Sequence, residues 1–254
     1  MKIAVVTGAS SGIGREFARQ IPQLYRHLDE LWVVARRTER LKELEKEAAL
    51  PVRIFDGDLR RDYIYERLQK ELDRQNAEIR MLVNAAGYGK TGRFEEIPLA
   101  DQLGMIDLNC RSLTKMTGIC LPHLHKGSRI VNIASAAAFS PQPGFAVYAA
   151  GKSYVYRLSM ALREELKGKG ILVTAVCPGP VETEFFQISG ELPGKLKTAF
   201  RQGVSEVVRQ ALKDAAKGKP VSVYGKTMKA ARICGKILPD PLLASLMKRT
   251  NQIR

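Results

Sequence analysis

Short, continuously apolar runs alternate along the chain with longer stretches whose apolar positions recur at helical spacing. The runs are Ile3–Val6, Leu31–Ala35, Val52–Phe55, Met81–Val83, Ile130–Ile133 and Leu172–Val176, with Val221–Tyr224 as a seventh. Continuous apolarity is the mark of parallel strands, because helices cover both of their faces. The helix candidates between them are Ile13–Tyr25, Arg40–Ala49, Tyr63–Gln75, Leu103–Leu121, Val147–Lys167 and Ser205–Lys217. In Arg40–Ala49, for example, Leu41 and Leu44 share one face and charges occupy the other, as on a surface helix. Strands alternating with amphipathic helices predict βαβ units, a parallel sheet and an α/β fold.

No repeat, low-complexity tract or flexible linker interrupts this pattern, so residues 1–225 read as one domain, followed by an extension over 226–254. Residues 182–199 break the rhythm: they follow directly on a strand and carry Phe185, Phe186, Gly190, Pro193 and Gly194. In an open α/β sheet ligands bind at the carboxyl ends of the strands, so this segment is placed to act as a lid.

The composition is that of a globular protein, with 45% hydrophobic and 26% charged residues, and nothing in it suggests disorder. The formal net charge of +15 is less ordinary and invites an anionic partner, against the simpler reading of a lysine-rich surface. There is no arginine-rich arm with interleaved aromatics, so nucleic acid is not expected. Cys110, Cys120, Cys177 and Cys234 lack the paired spacing of a disulfide framework or zinc site and read as reduced thiols. The chain runs from Met1 straight into an apolar strand, and no stretch approaches the roughly 20 apolar residues of a membrane span. A cytoplasmic protein is the expectation.

The first candidate chemistry lies at the first strand-to-helix junction, Thr7-Gly8-Ala9-Ser10-Ser11-Gly12-Ile13-Gly14. Glycines there permit a tight turn, and the helix N-terminus offers unpaired N–H groups and a positive dipole end to a pyrophosphate. This Thr-Gly-x-x-x-Gly-x-Gly pattern resembles the short-chain dehydrogenase/reductase family, in which Ser10, Ser11 and Ile13 are expected near the phosphates. Three further pieces match in order: Asp58-Leu59 after the third strand, Asn84-Ala85-Ala86-Gly87 after the fourth, and Pro178-Gly179 with Thr183 after the sixth. The resemblance implies that Asp58 contacts the adenine, and that the backbone near Val181 and the Thr183 hydroxyl meet the nicotinamide amide. It covers about residues 2–225 and implies a Rossmann-type doubly wound parallel sheet of about seven strands with helices on both faces.

The second strand ends in Ala35-Arg36-Arg37, where an NAD-binding protein carries an acid for the ribose hydroxyls. A carboxylate repels a 2′-phosphate, whereas arginine meets it with paired N–H donors, so Arg36 with Arg37 points to NADP(H).

Tyr148 and Lys152 lie four residues apart on a predicted helix and therefore share a face. Ser135 stands just past the apolar strand Ile130–Ile133, and Asn109 lies within the predicted helix Leu103–Leu121. Together they match the family's Asn-Ser-Tyr-Lys tetrad. Carbonyl reduction by hydride creates an alkoxide that needs a proton donor and hydrogen bonds where charge develops. A phenol with a pKa of about 10 suits this near neutrality only if lowered, which a neighbouring Lys152 ammonium is expected to do. By the resemblance, Lys152 also holds the nicotinamide ribose, Ser135 bonds the substrate oxygen, and Asn109 holds a water linking Lys152 to solvent.

Tyr88, Ala136, Phe139, Phe145, Phe185 and Phe186 are placed to border the substrate, which points to a hydrophobic ketone or secondary alcohol. A 3-oxoacyl thioester and a non-catalytic NADP(H)-binding regulator are the alternatives. His123 and His125 read as residues closing a helix rather than as metal ligands, and no metal is expected. The extension alternates Lys226, Lys229, Arg232, Lys236, Lys248, Arg249 and Arg254 with aliphatic residues, interrupted by Pro239 and Pro241. It predicts two short basic amphipathic helices that pack on the body or a second subunit, shield the substrate entrance, or touch an anionic membrane weakly. The family implies a homodimer or homotetramer acting on a small carbonyl or alcohol.

Overall fold

The computed structural model describes residues 1–25, 27–185, 189 and 202–252. Seven strands, β1 (Lys2–Thr7), β2 (Glu30–Ala35), β3 (Val52–Asp56), β4 (Glu78–Asn84), β5 (Leu124–Ile133), β6 (Leu172–Val176) and β7 (Val221–Ser222), form one parallel sheet in the order β3-β2-β1-β4-β5-β6-β7. Helices α1 (Gly12–Leu24), α2 (Thr38–Glu47), α3 (Tyr63–Arg74), α4 (Leu99–Ile106), α5 (Ser112–Cys120), α6 (Ala146–Glu165) and α7 (Val204–Ala216) connect them, and α8 (Lys226–Ile237) and α9 (Asp240–Thr250) follow.

The continuous apolarity of the strands has the expected cause. Alternate residues of β1 and β2 enter two separate cores, one on each face of the sheet. Ile3, Val5, Trp32 and Val34 pack with Leu68 and Leu72 of α3 and Met116 of α5. Ala4, Val6, Leu31 and Val33 pack with Phe17 and Ile21 of α1, Leu41 and Leu44 of α2, and Leu212 of α7. At roughly 1.5–3 kcal/mol for each large aliphatic side chain buried, these two layers supply the main drive for sheet formation.

Three elements differ from the sequence reading. The predicted Leu103–Leu121 helix begins earlier, at Leu99, and is broken by a wide π-type turn over Asp107–Arg111 before α5. Strand β5 starts at Leu124 rather than Ile130, with a register irregularity between its pairings to Ile79 and Met81. His125 therefore opens a strand instead of closing a helix, because Pro122 already stands in the turn after α5. Strand β7 is confined to Val221–Ser222, at the sheet edge.

The strand order reverses at β1, whose neighbours are β2 and β4. The connections leaving β1 and β4 diverge there and open a crevice at the carboxyl ends of the strands. Val181 pairs with Gln202, so the excursion between them leaves and returns at one point beside the crevice. Most of the expected lid, with Phe186, and Arg254 of the tail lie outside the described residues.

Candidate active site

A cavity of about 850 Å³ occupies this crevice. It runs from Arg36 and Arg37, past Ser10, Ser11, Gly12, Ile13 and Gly14, to Ser135, Tyr148 and Lys152. Its volume is near the upper end of the roughly 300–1,000 Å³ range of small-molecule sites.

The turn after β1 is shaped for close packing. Gly8 has a φ of +69°, and a β-carbon there would lie 2.8 Å from the Ala86 nitrogen; one on Gly14 would lie 2.4 Å from the Gly8 carbonyl oxygen. The turn is thus pressed against the segment after β4 and against its own helix. Ser11 caps α1 without a side-chain hydrogen bond, and the first turn carries no acid. The N–H groups of that turn, beside the cavity, retain their capacity for an anion.

At the far end of β2 the two arginines part company. Arg37 donates to Ser10 Oγ at 3.2 Å and to Glu184 at 2.8 Å, and Arg40 also meets the Glu184 carboxylate. These guanidinium groups, Arg37 first, hold Glu184 below the usual carboxylate range. Arg36 enters no ion pair with the described residues and lines the cavity. Asp58, with Leu59 beside it on the wall, is engaged by Arg60, whose Nη2 lies 2.6 Å from its carboxylate and lowers its pKa. Glu184 and Arg60 had no signature in the sequence reading: Arg37 and Glu184 are 147 positions apart.

Ser135 caps the short turn Ala136–Phe139 after β5, accepting from the Ala137 N–H at 3.1 Å, and its hydroxyl is close enough to the Tyr148 side chain to favour the phenolate. Tyr148 and Lys152 lie one turn apart on α6, only 7% and 6% exposed. The Tyr148 ring stacks on Phe145 at 4.1 Å and leans on Phe185 at 5.5 Å. Lys152 Nζ donates to the Ile133 carbonyl at 2.7 Å and sits 5.7 Å from the Tyr148 ring centre.

Burial dominates the protonation of both groups. It pushes the Tyr148 phenol up to about 12, with the Ser135 hydroxyl pulling the other way, and Lys152 down to about 8. The expected lowering of the phenol by Lys152 is not found: burial and, against it, Ser135 set the Tyr148 pKa, and the net direction is upward.

Asn84 and Asn109 do not line the cavity. The Asn84 amide donates to Thr117 Oγ1 and to Asn132 Oδ1 at 2.9 Å, and Asn132 in turn donates to Ser159. It belongs to a polar ladder inside the sheet, because strand alternation turns it away from the wall formed by Ala85, Ala86 and Gly87. Asn109 sits on the π-type turn and grips the Tyr88 backbone twice, accepting its N–H at 3.0 Å and donating to its carbonyl at 2.8 Å. Gly87 fits between Asn109 and Lys152: a β-carbon there would lie 2.7 Å from Asn109 Oδ1 and 3.5 Å from Lys152 Nζ.

Pro178, Gly179, Val181 and Thr183 continue the wall beyond β6. Of the residues expected to border the substrate, Tyr88, Ala136, Phe139, Phe145 and Phe185 line the same cavity. Met228, Cys234, Leu243 and Met247, on the inner faces of α8 and α9, also line the cavity, although no motif in the sequence marks them. Helix α8 docks closely on the turn after β5, since a β-carbon on Gly235 would lie 2.2 Å from the Phe139 carbonyl oxygen. The Asn251 amide donates to the Pro143 carbonyl at 2.7 Å just beyond α9.

A doubly wound parallel sheet, a glycine turn at its switch point and a buried Ser-Tyr-Lys cluster in one crevice define a dinucleotide-binding α/β protein. The chain belongs to the short-chain dehydrogenase family, whose model matches residues 2–191, and it is an oxidoreductase acting between carbonyl and alcohol groups. It is 38% identical over 192 residues to sulfoacetaldehyde reductase 2 of Chromohalobacter salexigens, spanning 72% of this chain and 74% of that protein. It is 31% identical to mouse (Mus musculus) 17-beta-hydroxysteroid dehydrogenase type 3, over 83% of this chain and 68% of that one. A short-chain dehydrogenase from Sphingobium yanoikuyae, solved in complex with NADPH, superposes with a TM-score of 0.79 at 29% identity, over 93% of each chain.

Proposed function

We propose that this protein is an NADP(H)-dependent reductase of apolar ketones or aldehydes, able to run in reverse on secondary alcohols. The reading is carried by the continuity of the cavity, which joins Arg36 at one end to the Ser135, Tyr148 and Lys152 cluster and then to an aromatic and aliphatic wall. The residues fit the nucleotide: the α1 N-terminus and its glycine turn suit a pyrophosphate, and Arg36 suits a 2′-phosphate. The NADPH complex of the Sphingobium relative agrees with this choice.

The nicotinamide, when bound, supplies or accepts the hydride. Ser135 Oγ and Tyr148 Oη present hydroxyl groups to the carbonyl oxygen, where negative charge develops. Tyr148, protonated up to about pH 12, delivers its proton to that oxygen. Lys152, charged below about pH 8, stabilises the phenolate left behind and serves the ribose hydroxyls. Asn109 acts at one remove, holding the Tyr88 backbone that forms the wall. The named relatives differ in substrate, so the apolar preference rests on Phe139, Phe145, Phe185, Leu243 and Met247. A homodimer or homotetramer is part of this reading, and the exposed Leu99, Leu103 and Ile106 of α4 offer it an apolar face.

The test is NADPH oxidation with a panel of apolar ketones and aldehydes, wild type beside Tyr148→Phe. The expected result is turnover in the wild type and a loss of about 10²–10⁴-fold in the variant with NADPH binding retained. Comparable turnover in the variant removes Tyr148 from proton transfer.

A further inference from the structure

Helices α8 and α9 present two chemically distinct sides. Their inner sides close the cavity through Met228, Cys234, Leu243 and Met247. On α8, Ala230, Ile233 and Ile237 recur at helical spacing on the opposite side, and Ile233 and Ile237 are more than half exposed. On α9, Leu242 and Leu246, one turn apart, are each at least half exposed. Around this apolar row stand Lys226, Lys229, Lys236, Lys248 and Arg249, all exposed, against the single acid Asp240. The two helices contain no aromatic residue.

We infer that the outer side of the α8–α9 pair docks on an anionic lipid bilayer, with its aliphatic row at the headgroup–acyl boundary and its cations on the phosphates. The arrangement supplies the two signals that interfacial helices combine: buried apolar area and attraction to anionic headgroups. The other occupants fit less well. A second copy docking by the same side would set lysine against lysine. Nucleic acid is served by unbroken cations and stacking aromatics, and here aliphatic side chains interrupt the cations. Leu246 belongs both to the cavity wall and to the exposed row, so docking sets the cavity mouth against the lipid.

The experiment is co-sedimentation of the full chain with vesicles of phosphatidylcholine alone or containing phosphatidylglycerol, at low and high salt. Binding to the anionic vesicles is expected to exceed that to the neutral ones by about tenfold or more and to weaken with salt. Replacing Lys226, Lys229 or Lys236 by glutamine is expected to cost about fivefold each. The double variant Ile233→Glu/Ile237→Glu is expected to lose binding while retaining its circular dichroism spectrum. The inference is overturned by equal binding to both vesicles, by no binding, by undiminished binding of the double variant, or by a change of oligomeric state in that variant. Vesicle binding is read without turnover, so its failure leaves the proposed reaction standing.

Discussion

At the reacting centre burial sets the protonation of Tyr148 and Lys152, whereas at the nucleotide end ion pairs hold Asp58 and Glu184 ionised. Lys152 and Tyr148 are both enclosed, and enclosure favours the neutral form of each. For carbonyl reduction this is consistent, because the phenol must hold its proton until the oxygen takes it. The ammonium has the narrower working range. Lysine is charged below its pKa, so kcat/KM for reduction is expected to hold through neutrality and fall as pH rises through about 8. A profile flat to pH 10 would dissociate Lys152 from the reaction. Arg36 is the residue on which cofactor choice turns: Arg36→Asp is expected to weaken NADPH by about tenfold or more while changing NADH little, measured by titration. Equal losses would mean that the 2′-phosphate is read elsewhere.

At the scale of elements, the excursion after β6 is tied to the nucleotide end of the cavity. Glu184, at its base, occupies Arg37 and Arg40, so the cations nearest Arg36 are partly neutralised. The pair is partly exposed and such contacts contribute at most about 1 kcal/mol. Glu184→Gln is therefore expected to tighten NADPH by up to about fivefold, visible in the same titration; a weaker NADPH complex would show that Glu184 organises Arg37 rather than competing for it. This tie also marks where sequence reasoning ends. The strands, α1 and α6 were legible because their signals are local: continuous apolar runs, a glycine turn and a Tyr-x-x-x-Lys spacing. The π-type turn at Asn109 was not, since no local composition distinguishes it from regular helix. The Glu184 contacts and the inner faces of α8 and α9 depend on distant chain segments meeting, which periodicity does not encode. Asn84 shows the converse: its motif was recognised, but the pleat of β4 turns its side chain into the sheet.

At the scale of the whole molecule, one sheet serves two ends of a single cavity. The β1–β4 divergence makes the nucleotide end, the segments after β5 and β6 make the reacting centre, and α8 and α9 close the apolar end. No helix among the described residues is long and apolar enough to cross a membrane. The positive charge of the chain is thus available to anions in two settings, a phosphorylated nucleotide within the cavity and the surface around it.

The most direct test of the account is a fluorescence titration of the full chain with NADPH and, in parallel, NADH, following protein quenching and nucleotide emission. Saturable binding of NADPH at least about tenfold tighter than NADH is the result this structure predicts. Well-folded protein that binds neither nucleotide, or binds NADH the more tightly, would contradict it.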